Sequence, residues 1–144
     1  MGAFTSDWKL QKGDKILRID IRKSFGGSGQ GGINPSNKTP NVFIFSDPHT
    51  GHQHGYNDHW KNGFFFYVGE GQTGDQEMKR GNLQVLEHQK KGRAIRLFRG
   101  SRGMVEYAGR FEVTDRDPWY YTDAPQKVGG LRKVIVFRLV EVTE

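Results

Sequence analysis

The sequence has 144 residues, of which 34% are hydrophobic and 12% aromatic, and its 22 Lys and Arg against 16 Asp and Glu leave a net charge of +6. This length predicts a single domain spanning residues 1–144, and the basic balance favours a polyanionic partner such as nucleic acid. The absence of cysteine excludes disulfides and thiolate metal sites, and the lack of an apolar run of about 18 residues argues against a membrane partner, so we expect a cytoplasmic protein.

The first regular segment is expected at residues 16–21. Leu17, Ile19 and Ile21 alternate with charged residues there, a pattern that predicts a half-buried strand. Residues 24–40 follow with five glycines and few apolar side chains. A segment of this length and composition is typical of a functional loop, from which Gln30 projects on a pliable backbone.

The second strand is predicted at residues 42–45, a continuous apolar run that indicates burial on both faces. The segment that follows holds His49, His52, His54 and His59. Such a cluster can ligate a transition metal, and with the nearby Asp and Asn residues it leaves open the alternative of a metal-dependent nuclease. Because the spacing fits no known metal motif, we expect neither a metal site nor a cofactor.

Residues 55–71 carry the most informative pattern, GYNDHWKNGFFFYVGEG. Phe64 to Tyr67 form a short run of strong strand formers bounded by glycine, which predicts a buried strand. The following Gly69-Glu70-Gly71 allows a sharp turn or the close approach of a ligand to the backbone.

The remaining pattern predicts one main helix and three further strands. The helix is expected to begin near Asp75 or Asn82 and to end at Gly92. The strands are predicted at residues 93–99, at residues 104–113 with a bulge at Gly109, and at residues 134–142. Residues 115–130 are predicted as an irregular loop whose Trp119, Tyr120 and Tyr121 either cap the core or face a ligand. The fold class is therefore α+β and β-dominated, with a curved, barrel-like sheet, one main helix and long functional loops.

In this order the segments resemble the SRA (SET- and RING-associated) domain, a reader of modified cytosine in DNA. The resemblance runs from about residue 13 to residue 142 and is carried by KGDKILRIDI, QGGI, VFIF, GYND, NGFFFYVGEG, DQEMKRGN, RAIRLFRG, YAGRFEV and VIVFRLV. It is strongest with the compact bacterial type found before HNH nucleases in modification-dependent restriction enzymes. An RNA-binding domain of the related PUA-like barrel type is the other alternative.

The resemblance implies a reader without chemistry of its own, which flips 5-methylcytosine or 5-hydroxymethylcytosine out of double-stranded DNA. Tyr56 and Tyr67 match the aromatic residues that sandwich the base in this family, and Gln30 matches the side chain inserted into the emptied duplex. Asp58 would accept a hydrogen bond from the cytosine amino group. The Gly69–Gly71 turn, with Glu70 at its centre, would offer backbone N–H groups to the base or a phosphate.

Two positions depart from the pattern of the better-known members. Counted from Tyr56, their pocket acid aligns with His59 rather than Asp58, so either residue is a candidate base reader. The residue after the second tyrosine, often Thr in those members, is Val68, which lacks a hydroxyl donor.

Basic side chains are the candidates for DNA phosphate contacts, and a nuclease domain in the same parent chain is the implied partner. The phosphate candidates are Lys23, Lys38, Arg80, Lys90, Lys91, Arg93, Arg99 and Arg102.

Overall fold

The computed structural model describes residues 8–47, 58–126 and 128–144. Nine strands and two helices follow in chain order: β1 (Lys15–Leu17), α1 (Arg18–Phe25), β2 (Ile33–Pro35), β3 (Asn41–Ser46), β4 (His59–Lys61), β5 (Phe64–Val68), α2 (Gly81–Leu86), β6 (Ala94–Arg99), β7 (Met104–Val113), β8 (Trp119–Pro125) and β9 (Leu131–Val142). In the described part of the chain, no helix is long and apolar enough to cross a membrane.

The strands form one mixed sheet in the order β2-β3-β6-β7-β9-β5-β4, with β1 paired to β7 and β8 paired to β9. All pairs are antiparallel except β3 and β6. The β-dominated α+β class is thus confirmed. The sheet is open rather than closed, because β2 and β4 lie at its two ends, so barrel-like describes its curvature only loosely.

Strand β3 is buried along its whole length, as the continuous apolar run predicts. Val42 and Ile44 belong to the larger core, with residues of β5, β6, β7 and β9. Phe43 and Phe45 project from the other face into a second core. Because successive side chains of a strand point to opposite faces, β3 is the element that joins the two cores.

Helix α1 corrects the first strand prediction. Strand β1 ends at Leu17, and the chain continues as a helix from Arg18. Ile21 and Phe25, one helical turn apart, are both buried in the second core, whereas Ile19 is 57% exposed. The alternation of apolar residues was therefore misleading, since the spacing of four that the core selects belongs to a helix.

Helix α2 is shorter than predicted and is the second helix, rather than the only one, in the described part of the chain. It runs from Gly81 to Leu86, and Arg80 rather than an acidic or amide residue precedes it, without a side-chain cap. Asp75 instead accepts a hydrogen bond from the Lys133 backbone N–H at 2.8 Å. The segment up to Gly92 consists of turns.

The prediction of an irregular loop at residues 115–130 was also wrong for the central part of that range. Residues 119–125 form β8, which pairs along its whole length with β9. Aromatic side chains suit a half-exposed strand: Trp119 packs against the larger core, while Tyr120 and Tyr121 are 38% and 47% exposed. The bulge predicted at Gly109 is confirmed by a shift in the β6–β7 register between Leu97 and Phe98.

A buried histidine links α2 to the sheet. Nε2 of His88 accepts a hydrogen bond from the Val113 N–H at 3.2 Å, so Nδ1 carries the proton and donates it to the Arg93 carbonyl at 2.8 Å. Burial lowers the pKa of His88, against smaller opposing effects of the Arg93 carbonyl and Glu112. The fold therefore requires the neutral imidazole.

This requirement predicts a loss of stability on acidification. A lowered pKa in the folded state means that the stabilisation is complete above the ordinary histidine pKa of about 6.5 and is lost as the pH falls below it. Urea unfolding between pH 8 and pH 5 should show a steeper loss for the wild type than for His88→Gln, which cannot titrate there. Parallel curves for the two proteins would contradict this role of His88.

Candidate functional site

The carboxylate of Asp58 is held at the point where β3 and β5 end. Its Oδ2 accepts a hydrogen bond from the Ser46 hydroxyl at 2.7 Å, and its Oδ1 accepts one from the Val68 N–H at 2.7 Å. Ser46 is the last residue of β3 and Val68 the last of β5. The carboxylate is therefore fixed by two strands of the sheet.

Tyr67 precedes Val68 in β5 and belongs to the larger core, where it is only 3% exposed. Its hydroxyl lies 3.0 Å from both the Gly32 and the Phe45 carbonyl oxygens. A β-carbon on Gly32 would lie 3.1 Å from that hydroxyl, which explains the glycine. We call the group of Gly32, Ser46, Asp58, Tyr67 and Val68 the Asp58 site.

His59 follows Asp58 in the chain and is the first residue of β4. It is exposed on β4, and its ring stacks on Phe66 with centroids 5.0 Å apart and an interplanar angle of 12°. Phe66 packs against a separate small cluster that includes the Val68 side chain. Asp58 rather than His59 is thus joined to the ends of β3 and β5.

The loop of residues 28–32, which we call the Gln30 loop, folds around a buried amide. Asn34 is 2% exposed; its Oδ1 accepts a hydrogen bond from the Gly29 N–H at 2.8 Å, and its Nδ2 donates to the Gln30 carbonyl at 2.7 Å. The Gln30 side chain itself is exposed. Its backbone is therefore ordered while its amide group faces solvent, in contrast to the pliable backbone that the glycines indicate.

The Gly69–Gly71 turn is held by the protein's own side chains. The Gly69 N–H donates to the Ile135 carbonyl at 2.7 Å, and the Glu70 N–H donates to Asn82 Oδ1 at 2.8 Å. A β-carbon on Gly69 would lie 2.7 Å from that oxygen. The expectation that these two N–H groups contact the base or a phosphate is therefore wrong, since a buried amide explains the glycine without a ligand.

Glu70 belongs to the same structural connection. Its carboxylate accepts a hydrogen bond from the Gly81 N–H at 3.0 Å. Burial raises the pKa of the Glu70 carboxyl, against the smaller effects of the Gly81 N–H and Arg80. Glu70 therefore ties the turn to the first residue of α2.

The basic candidates occupy several regions. Arg99 and Arg102 are exposed on either side of the β6–β7 turn, next to the Asp58 site, because the Gly100 N–H donates to the Ser46 carbonyl at 2.9 Å. Lys23 and Lys38 are exposed beside the glycine-rich segment, and Arg80 is exposed at the start of α2. Several of the candidates have internal partners: Lys90 and Lys91 pair with Glu87, Arg93 donates to Gln84 and Ser36, Arg99 pairs with Glu106, and Lys38 donates to the Lys23 carbonyl.

Tyr56 and three of the histidines, His49, His52 and His54, lie outside the described residues. Within the ranges that the structure describes, no group of three His, Asp or Glu residues is placed to hold a metal ion. The metal-dependent nuclease hypothesis gains no support from these ranges.

Three residues of this region were not identified from the sequence: Ser46, Asn34 and Arg18. Ser46 orients Asp58, Asn34 orders the Gln30 loop, and Arg18 bonds to that loop from α1. Polar residues at a strand end or in a loop are common, so each gives a weak signal until the fold brings it to its partner.

The arrangement suits the recognition of a polar planar group. An ionised carboxylate accepts hydrogen bonds and donates none, so it selects a donor such as an amino group. Tyr67, buried in the larger core, bonds through its hydroxyl to Gly32, the last residue of the loop that carries the exposed Gln30 amide. The site therefore combines a fixed acceptor, a buried tyrosine and a projecting amide.

A family model described as "ScoMcrA-like, SRA domain" matches residues 12–144. The comparison with curated protein sequences gives no match.

Solved structures with the same fold include SRA domains bound to DNA. One contains the sulfur-binding and SRA domains of ScoMcrA with phosphorothioated DNA; it is 23% identical, with a TM-score of 0.72, over 94% of this chain and 41% of that one. Another is the SUVH5 SRA domain with hemimethylated CG DNA, at 23% identity and a TM-score of 0.64, over 94% of this chain and 90% of that one. The same domain bound to fully hydroxymethylated CG DNA has a TM-score of 0.62 at 23% identity, over 94% and 91% of the two chains.

The chain covers a smaller share of the ScoMcrA endonuclease than of the SUVH5 SRA domain. It matches 29% of the ScoMcrA chain in a structure of that phosphorothioation-dependent restriction endonuclease, at 22% identity over 94% of its own length and a TM-score of 0.68.

Proposed function

Because this chain belongs to the ScoMcrA-like SRA domain family, we propose that it binds double-stranded DNA containing 5-methylcytosine or 5-hydroxymethylcytosine by flipping the modified base into the Asp58 site. It acts as a reader and carries out no chemistry itself. In the parent protein, we propose that it directs a restriction nuclease domain to modified DNA.

The observation that carries the proposal is the fixed Asp58 carboxylate. In a stacked base pair the pairing edge of cytosine is covered, so a pocket can recognise that edge only after the base leaves the helix. A flipped cytosine presents its N4 amino group as a donor, whereas thymine presents O4, an acceptor. Asp58, held by Ser46 and Val68, accepts from N4 and opposes O4.

Stacking compensates for the cost of extruding the base. Unpairing and unstacking cost a few kcal/mol, and stacking on an aromatic side chain returns about 1–3 kcal/mol per base. Tyr67 provides one wall of the proposed pocket, and we assign the other to Tyr56. Val68 contributes its N–H to Asp58, while its side chain packs with the small cluster.

We assign Gln30 to the space that the flipped base leaves. Its exposed amide both donates and accepts hydrogen bonds, so it can pair with the abandoned guanine. The ordered backbone around Asn34 lowers the entropic cost of inserting it. Arg99 and Arg102, beside the Asp58 site, are the basic candidates that we place nearest to the phosphates of the modified strand.

Binding to one duplex carrying cytosine, 5-methylcytosine, 5-hydroxymethylcytosine or a phosphorothioate linkage tests the proposal at matched salt. At least one cytosine modification should tighten binding several-fold over the unmodified duplex, and RNA should compete weakly. Equal affinity across the panel would contradict a reader of modified cytosine. Tightening by the phosphorothioate alone would move the recognised group to the backbone, and strong competition by RNA would favour an RNA-binding function.

Replacement of Gln30 gives a smaller expected effect. Gln30→Ala should weaken binding to modified DNA by about 1 kcal/mol, the typical net value of one hydrogen bond. Gln89→Ala is the matched control, because this exposed glutamine pairs with Glu112 near the opposite end of β7. Equal affinities of the two variants and the wild type would exclude Gln30 from the mechanism.

A further inference from the structure

Arg18 lies where three segments meet at the edge of the Asp58 site. Its Nη1 donates to the Ser101 carbonyl at 2.7 Å, and its Nη2 donates to the Gly31 carbonyl in the Gln30 loop. The guanidinium carbon lies 3.9 Å from the centroid of the Phe45 ring at the end of β3. The side chain thus connects the β6–β7 turn, the Gln30 loop and the strand that carries Ser46.

The contacts of this guanidinium are all neutral. Among the described residues, the ion pairs of the protein include Arg96 with Glu144 and Arg99 with Glu106, but none includes Arg18. Burial lowers the pKa of Arg18, against a smaller opposing effect of Tyr67. A partly buried cation without a counter-ion in this region is stabilised when an anion reaches it.

We propose that Arg18 binds a phosphate of the DNA backbone beside the flipped nucleotide, an inference that rests on the proposed function. If Gln30 enters the helix where the base has left, the backbone of that strand runs along the Gln30 loop, which Arg18 contacts. A guanidinium has five N–H donors in a fixed plane. In Arg18 two of them hold the Gly31 and Ser101 carbonyls, and the buried Nε has no hydrogen-bond partner among the described residues, so the second hydrogens of Nη1 and Nη2 are the donors for a phosphate.

Arg18 also has a positioning role under this proposal, because the same group bonds to the loop and to the DNA. Arg18→Gln removes the charge. Arg18→Lys keeps the charge but presents it as a compact ammonium that does not reproduce the planar fork. The two variants therefore separate the phosphate contact from the support of the loop.

The test pairs these variants with duplexes in which one phosphate near the modified cytosine is replaced by a neutral methylphosphonate. One such replacement should weaken wild-type binding about tenfold, as expected for a lost charged hydrogen bond. Arg18→Gln should bind the duplex with all phosphates intact about tenfold more weakly than the wild type does. The methylphosphonate at the sensitive position should then weaken its binding little further. If the loss of affinity caused by Arg18→Gln and the loss caused by the methylphosphonate multiply at every phosphate tested, the proposal is overturned.

The salt dependence gives a second readout. Loss of one phosphate contact should reduce the slope of log Kd against log salt by about 1. Arg18→Gln should show this reduction and Arg18→Lys should not. Arg116→Gln removes the same charge from an exposed turn after the far end of β7 and should keep the wild-type slope. A wild-type slope for Arg18→Gln would leave Arg18 with a structural role only.

The wild-type protein alone can decide the matter if Arg18→Gln does not fold. A wild type that prefers modified DNA but has no sensitive phosphate within about two nucleotides of the modified cytosine contradicts the Arg18 assignment alone. A wild type without any preference for modified DNA contradicts the reader function instead.

Discussion

Asp58→Asn is expected to abolish the preference for modified cytosine over thymine. The asparagine Oδ1 can still accept the hydrogen bond from the Val68 N–H, so the backbone at the end of β5 keeps its partner. The amide nitrogen takes the place of Oδ2, however, and presents donors where the carboxylate presented an acceptor. The amide nitrogen and the cytosine N4 amino group are then two donors facing each other, whereas the amide nitrogen can donate a hydrogen bond to thymine O4.

The size of the expected loss of discrimination follows from the free-energy cost of an unpaired polar group. A buried donor without a partner costs about 1–3 kcal/mol, which corresponds to about a tenfold to hundredfold loss of discrimination. Competition between duplexes that differ only in 5-methylcytosine or thymine at the target position measures this discrimination. Binding that is non-specific and salt-dependent should remain, since it depends on the basic side chains.

His59→Ala is the matched comparison for Asp58→Asn. The exposed His59 ring stacks on Phe66, whereas the Asp58 carboxylate bonds to Ser46 and Val68. We therefore expect this variant to keep the preference for modified cytosine. Loss of discrimination in His59→Ala, with a folded Asp58→Asn that retains it, would assign base reading to His59.

Tyr67→Ala is expected to cause the largest loss of stability among the proposed variants. The ring is 3% exposed within the larger core, and truncation of such an aromatic side chain leaves a cavity that costs about 3–5 kcal/mol. Urea unfolding measures the change. The binding defect of this variant cannot be separated from its loss of folding, so a gentler change is needed to examine the hydroxyl.

Tyr67→Phe keeps the ring and removes the hydroxyl that lies between the Gly32 and Phe45 carbonyls. We expect a loss of about 0.5–1.5 kcal/mol in stability and weaker binding to modified DNA, because the Gln30 loop loses one of its contacts. Tyr121→Phe removes a comparable hydroxyl, bonded to the Gln76 carbonyl at 3.0 Å, from a half-exposed strand. A Tyr67→Phe protein with wild-type affinity would mean that this contact has no part in recognition.

The sequence predicted the strands that are buried or strongly patterned. The run at residues 42–45 leaves little alternative to a core strand, and residues 104–113 were placed with their bulge. Residues 18–21 were misassigned to a strand because Leu17, Ile19 and Ile21 fit a strand locally, whereas burial of Ile21 and Phe25 against β3 favours a helix. That choice depends on tertiary contacts that local periodicity does not contain.

In the candidate site, too, some features follow from the local sequence and others depend on tertiary contacts. Asp58 and Tyr67 come from one continuous motif, and the structure shows their contacts with Val68 and Gly32. Their part in base recognition stays a prediction. Counting from Tyr56 does not distinguish Asp58 from His59 as the base reader, and the choice between them stays a prediction. The fold adds a contact that the sequence could not show, the hydrogen bond from the Val68 N–H to Asp58. The glycines of the Gly69–Gly71 turn suggested an approaching ligand, but Asn82, which lies 13 residues after Gly69 in the sequence, occupies that space.

The most direct test of extrusion of the modified base is the fluorescence of 2-aminopurine placed next to 5-methylcytosine in a duplex. Stacking quenches this analogue, so removal of its neighbour from the helix should raise its emission. We expect a rise with the wild-type protein, a smaller rise with an unmodified duplex or with Gln30→Ala, and none when the analogue lies several base pairs away. Tight, modification-dependent binding without any rise would contradict recognition of a flipped base.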